Sequence, residues 1–194
     1  MFRLGDMKLR GKLMGAFSAL VLLVVLGGTA IWWRTGTLQQ SAAMTRHSYS
    51  VLDTANALMG SMVDQETALR GFLLAGEDAF LEPFRQGIRT REEAAQRLQR
   101  LVSDNPEQTR RAAEMDRRSL EWQRNHADPT IALMRGDEAS RARARQNEIE
   151  GRGKGMMDGV RAMAAELGAA EQSLRTQRGN EEEAAFDQVY TVLL

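Results

Sequence analysis

No cysteine occurs among the 194 residues, which excludes disulfide staples, thiolate metal sites and c-type haem attachment. Histidine is nearly as scarce. His47 and His126 are the only two, and neither stands in an HExxH or ExxH setting, so no zinc or di-iron centre is expected. Proline appears three times, leaving long stretches free to remain helical. Excess charge is missing too: 26 basic residues balance 26 acidic ones. Of the bases 23 are arginine, yet acids are interleaved with them. Arg141, Arg143 and Arg145, for example, are followed by Glu148 and Glu150, so the pattern is that of solvated helix faces and not of a nucleic-acid surface. The glycine-rich GRGKG at 151–155 has the composition of a phosphate loop, but Gly155 follows Lys154 where serine or threonine is needed, and no strand precedes it. Nothing places Ser, His and Asp together as a triad. Catalysis, cofactors and metals are therefore not expected.

What is present is one greasy segment followed by a long polar chain. Leu13 to Trp33 is a run of 21 residues without a charged side chain, and as a helix it rises about 30 Å, the thickness of a bilayer's hydrocarbon core. Arg3, Lys8, Arg10 and Lys12 precede it against a single acid, Asp6, which predicts a cytoplasmic tail at residues 1–12, a transmembrane helix at 13–33 and an exit to the outside beyond. Trp32 and Trp33 suit the headgroup layer at that exit. A cleaved secretory signal is the competing account, but its apolar part is usually shorter and ends at a small-residue cleavage site.

Ala, Arg, Glu, Leu and Gln dominate the remainder, the profile of long helices, and its length is that of one domain. Inward positions alternate by three and four, the period of a left-handed bundle. The first outside helix carries Val51, Ala55, Leu58, Met62, Gln65, Leu69 and Phe72, and should end near Gly76. The second carries Leu81, Phe84, Ile88, Arg91, Ala95, Leu98 and Val102, starting between 78 and 83 so that Pro83 falls in the first turn. For the third, Asn105 can cap, Pro106 suits the first position and Gln108 can reach back to the cap amide. Ala112, Met115, Ser119 and Trp122 then face inward. Asp128-Pro129 predicts a kink or short break, and Gly136-Asp137 the end. The fourth shows Met156, Val160, Met163, Leu167, Ala170 and Leu174.

The expected fold is thus all-α, a membrane-anchored antiparallel four-helix bundle with long first and fourth helices, spanning residues 34–185. Arg34 to Ala75 would rise about 60 Å against about 36 Å for the second helix, so the first overhangs and should pair with the end of the fourth. Past Glu181, Glu182 and Glu183 the chain turns apolar again. Residues 186–194 therefore read as the start of a second, truncated span.

The stretch Asp64-Gln65-Glu66-Thr67-Ala68-Leu69-Arg70-Gly71-Phe72-Leu73-Leu74-Ala75-Gly76, followed by Phe80-Leu81-Glu82-Pro83-Phe84, resembles the signature of the third class of CHASE domain, an extracellular sensory four-helix bundle. Gly153 to Arg161 and Glu171 to Arg178 resemble that family's fourth helix, and the resemblance covers about residues 40–180. It implies the sensory and anchoring half of an inner-membrane receptor, most often a homodimer, lying outside the cell. Chemotaxis transducers, histidine kinases and cyclic-dinucleotide enzymes are the outputs it implies, and the layout looks most like a chemotaxis transducer. The stimulus would be a small molecule or a protein.

Within that motif Glu66 and Arg70 lie four apart and can pair, while Gly71 lets another helix approach; Glu66, Arg70, Gly71, Phe72 and, later, Arg161 are read as structural. A ligand site is expected on other residues. Heptad counting places Gln65, Arg91, Ser119 and Gly155 near one level, as a polar, loosely filled layer with room for water or an anion. A non-signalling haem-b bundle with His and Met ligands is the alternative from another class.

Overall fold

The computed structural model describes the backbone of residues 9–193 and, within it, all side chains except those of 9–10, 30–31, 33–41, 182–183 and 185–193. Its elements are α1 (Leu9–Ala75), a 3-10 turn (Asp78–Leu81), α2 (Glu82–Leu101), α3 (Pro106–Trp122), a π-helical turn (Gln123–Ala127), α4 (Asp128–Met134), α5 (Glu138–Ile149) and α6 (Arg152–Leu193). The fold is all-α, and no strand occurs among the described residues. Two compact units divide the chain after Arg46.

In the first unit, Gly11–Thr29 makes 19 residues of helix long and apolar enough to cross a membrane, with no side chain buried against protein. It overlaps the expected span from Leu13 onward. The Thr29 hydroxyl donates back to the Val25 carbonyl at 2.6 Å, so this polar group is satisfied within the helix. Most of the expected cytoplasmic tail, and the side chains of the expected second span at 186–194, lie outside the described residues.

The second unit, from His47 on, is an up-down-up-down bundle. Cross-contacts fix its antiparallel order: Gln65 of α1 packs on Gly87 of α2, Arg91 of α2 bonds Asp116 of α3, Gln108 of α3 bonds Glu171 of α6, and Leu52 of α1 packs on Gly168 of α6. Every inward position expected on α1 is buried, from Val51 to Phe72, as are Ala112, Met115, Ser119 and Trp122 on α3. Trp122, Phe72, Leu58 and Met62 are the heart of the core, each worth about 2 kcal/mol of burial.

The helix ends follow their caps. Gly76 adopts φ 74° and its amide donates to Phe72 O at 2.8 Å, closing α1 as its sequence position predicts. Asn105 caps α3 by accepting from the amides of Glu107 and Gln108. The Gln108 side chain does not return to the cap, however; it is buried and reaches Glu171 on α6 instead.

Three local features refine the expectation or differ from it. At Asp128-Pro129 the disturbance takes the form of a π-turn at Gln123–Ala127 between α3 and α4, which accommodates one extra residue and places Pro129 in the first turn of α4. After Gly136 a separate helix forms, α5, capped by Asp137, whose carboxylate accepts from the Ser140 amide at 2.9 Å. α6 then starts afresh after Gly151, which has φ 73°. The buried line of α6 also lies one position away from the expected one near its start. Gly153, Met157, Val160, Leu167 and Glu171 face the core, while Met156, Met163, Ala170 and Leu174 are only half-buried.

Candidate functional site

Three of the four residues expected in the polar layer are buried in the core: Gln65, Arg91 and Ser119. Arg91 is 2% exposed and donates from Nη1 to Asp116 Oδ1 at 2.8 Å and from Nη2 to Glu92 Oε1 at 3.3 Å. Ser119 Oγ donates to the Asp116 carbonyl at 2.7 Å, and Gln65 Nε2 to the Ser61 carbonyl at 3.2 Å. Buried atoms of this region without a bonded partner are Gln65 Oε1, Arg91 Nε and Trp122 Nε1. Gly155 does not belong here. It is exposed, with open space where a Cβ would stand, because the inward line of α6 runs through Gly153 and Met157.

The residues the family-like motif singled out assemble at a second place. Glu66 on α1 is nearly buried and accepts from Arg70 Nη2 at 2.9 Å and from Arg161 Nη2 of α6 at 3.3 Å. Arg70 Nε donates in turn to Glu148 Oε1 of α5 at 2.8 Å. The other Glu148 oxygen lies 3.1 Å from Nε2 of His126, which the π-turn presents to the core. Arg161 also holds Asp158 at 2.6 Å, and Asp158 holds Lys154 at 2.6 Å. Seven side chains of alternating role thus join α1, the π-turn, α5 and α6.

Within this network the electrostatics centre on Glu148. The hydrogen bond from His126, foremost, and the Arg70 guanidinium hold its carboxyl down at about 2 against the opposing effect of burial. The bond to Glu148 likewise raises Arg70. With Glu148 ionised, His126 Nε2 carries the hydrogen and donates it. Trp122 flanks His126 with ring centres 6.0 Å apart. Gly153 lies directly on the imidazole, where a methyl group would collide.

His126 and Glu148 lie outside what the sequence reading singled out. No metal motif surrounds the histidine, and only the glycine at 153 hinted that something must come close. Gly71 plays a different part from the one expected: the neighbour it admits is the Phe80 ring of the 3-10 turn, 2.9 Å from where a Cβ would be, and not a long helix. Phe72 is a core residue, as its place in the heptad requires.

A third polar layer occupies the other end of the bundle. Glu171, 4% exposed, accepts from Gln108 Nε2 at 3.1 Å. The antiparallel register that sets Leu52 on Gly168 and Arg175 over the Tyr49 ring at 4.9 Å brings buried Ser48 to the same level.

Residues 41–181 match the CHASE3 domain family, nearly three-quarters of the chain. The chain belongs to that family. Among solved structures, the CHASE3 bundle is similar to the sensor domain of the Rhodopseudomonas palustris histidine kinase HK9, at 20% identity and a TM-score of 0.58, over 66% of this chain and 97% of that one. That likeness concerns the fold alone. No curated protein matches the sequence. The CHASE3 assignment makes the bundle the sensor of a signalling receptor, and the Glu66–Arg161 ion pair ties its first helix to its last.

Proposed function

We propose that the chain is the sensory and anchoring part of a transmembrane receptor. It is held in the inner membrane by Gly11–Thr29, with its N-terminus in the cytoplasm and its CHASE3 bundle in the periplasm or outside the cell. The observation that carries this is the pairing, in one chain, of an apolar helix with no protein around it and a CHASE3 bundle. The basic flank Arg3, Lys8, Arg10 and Lys12 supports the orientation. Residues 186–194 would open a second span leading to a cytoplasmic output, most fittingly that of a chemotaxis transducer; a histidine kinase or diguanylate cyclase output would use the bundle in the same way. The protein itself catalyses nothing in this reading and works as a homodimer.

Sensing requires two packings of the bundle that a small-molecule or protein stimulus binds unequally. The unsatisfied buried atoms of Gln65, Arg91 and Trp122 mark the polar layer where such a bias would act, through water or an anion. The haem-b alternative is disfavoured by one contact, since Nε2 of His126 is already engaged by Glu148.

Fusing the chain, extended by a complete second span, to the cytoplasmic part of a kinase with a transcriptional reporter tests this reading. Core variants that keep the helical fold should shift reporter output severalfold. An output indifferent to every one of them contradicts it.

A further inference from the structure

In the Glu66–Arg161 ion pair that links α6 to α1, each charged group keeps a second partner on its own helix. Glu66 binds Arg161 across the bundle at 3.3 Å, yet also Arg70, four residues along α1, at 2.9 Å. Arg161 binds Asp158, three residues back along α6, at 2.6 Å. The interhelical bond is the longest in this set. Breaking it strands neither charge, although the Glu66 side chain is only 9% exposed. That matters because depriving a buried carboxylate of its sole cation is strongly destabilising, whereas one that retains a partner avoids this penalty.

α5 is tied differently. Glu148 is held from two sides, by Arg70 of α1 and by His126 of the π-turn, and Arg145 Nε of α5 reaches the Leu73 carbonyl at 3.4 Å. Between α5 and α6 stands Gly151 with φ 73°, a conformation that releases the following helix from the line of the preceding one. The first turns of α6 hold Gly153, Gly155 and Gly159, which weaken the helix locally.

We infer that the Glu66–Arg161 pair is a make-and-break clasp: α6 pivots at Gly151 between a closed packing, with Arg161 on Glu66, and an open one, in which Arg161 rests on Asp158 and Glu66 on Arg70. α5 stays pinned to α1 throughout. A shift of about 1–2 Å, ordinary for packed helices at switching interfaces, is enough to part a 3.3 Å contact. This deepens the receptor reading, from which it takes only the purpose of the motion.

The absence of native cysteine allows the clasp to be read directly. Spin labels on Thr67→Cys of α1 and Ala165→Cys of α6, both exposed positions, report the separation of the two helices in the full chain reconstituted in nanodiscs. Arg161→Gln should raise the longer-distance population about threefold, the effect of losing one weak ion pair, with helical content and melting nearly unchanged. Arg161→Lys should restore the parental distribution. Asp158→Asn, which removes the resting place of the open form, should lower the longer population. An unchanged distribution in Arg161→Gln would overturn the clasp, and so would a collapse of the fold in that variant, since a structural pair is what fails in that way. These distances need no output module, so they stand or fall apart from membrane topology.

Discussion

Glu148 links charge to packing, held by His126 of the core and by Arg70 of α1. Its carboxyl titrates at about 2 in the folded chain against an ordinary value of 4.5. A depressed folded value stabilises the bundle fully above the ordinary value, and that contribution is lost as pH falls toward the folded one. The thermal midpoint should therefore decline between pH 5 and pH 2. Glu148→Gln should lower the midpoint at pH 7 and flatten the decline, as followed by circular dichroism; an unchanged slope would show that other carboxylates carry it. Arg91 makes a second case. Its guanidinium, buried in the core, pairs with Asp116 at the core's edge, so Arg91→Ala leaves a half-buried carboxylate without its cation, a loss of about 3 kcal/mol in denaturant titration. A loss below about 1 kcal/mol would instead make the arginine dispensable to the fold. The inward places of Gln65, Arg91 and Ser119 were legible from heptad spacing, because apolar neighbours on both sides fix the phase of the helix. The partner of Arg91 was not, nor was that of His126, since Asp116 and Glu148 sit on polar faces where periodicity carries no signal.

Among the elements, α1 to α3 were readable because large apolar residues such as Leu58, Phe84, Leu98 and Trp122 recur at heptad spacing and Gly76, Pro83 and Asn105 mark where helices end or begin. Asn105 is such a cap, and Asn105→Ala should cost about 1 kcal/mol of stability in chemical unfolding, with no loss refuting its role. The start of α6 resisted for a physical reason: Gly151, Gly153, Gly155 and Gly159 offer no side chain to mark a face, so Met156 and Met157 could not be told apart. The difference is measurable in the unfolding free energy. Gly155→Ala meets open space on an exposed helix and should stabilise by up to about 1 kcal/mol, whereas Gly153→Ala drives a methyl into His126 and should destabilise by about 1–3 kcal/mol. Equal effects at the two sites would put the buried line of α6 elsewhere. The π-turn was hidden likewise, because Pro129 announces a disturbance in the helix but several backbone arrangements answer it.

Over the whole molecule, the contrast between the uncharged run from Leu13 and the heptad-patterned remainder was enough to read the class, and the resemblance carried by Asp64 to Gly76 and Phe80 to Phe84 pointed to the family. One helix, α1, contains both the apolar segment and the first rod of the bundle, and the family match begins at residue 41. Orientation across a membrane is a property of flanking charge and lipid, and it calls for an experiment in cells. The cysteine-free chain makes this simple: Arg141→Cys places a thiol on the exposed face of α5 and Gly5→Cys one in the basic N-terminal tail. With a membrane-impermeant maleimide applied to intact bacterial cells whose outer membrane admits it, the receptor reading predicts labelling of Arg141→Cys at once and of Gly5→Cys only after the inner membrane is broken. The opposite order, or an Arg141→Cys thiol that stays unlabelled until lysis, would contradict it.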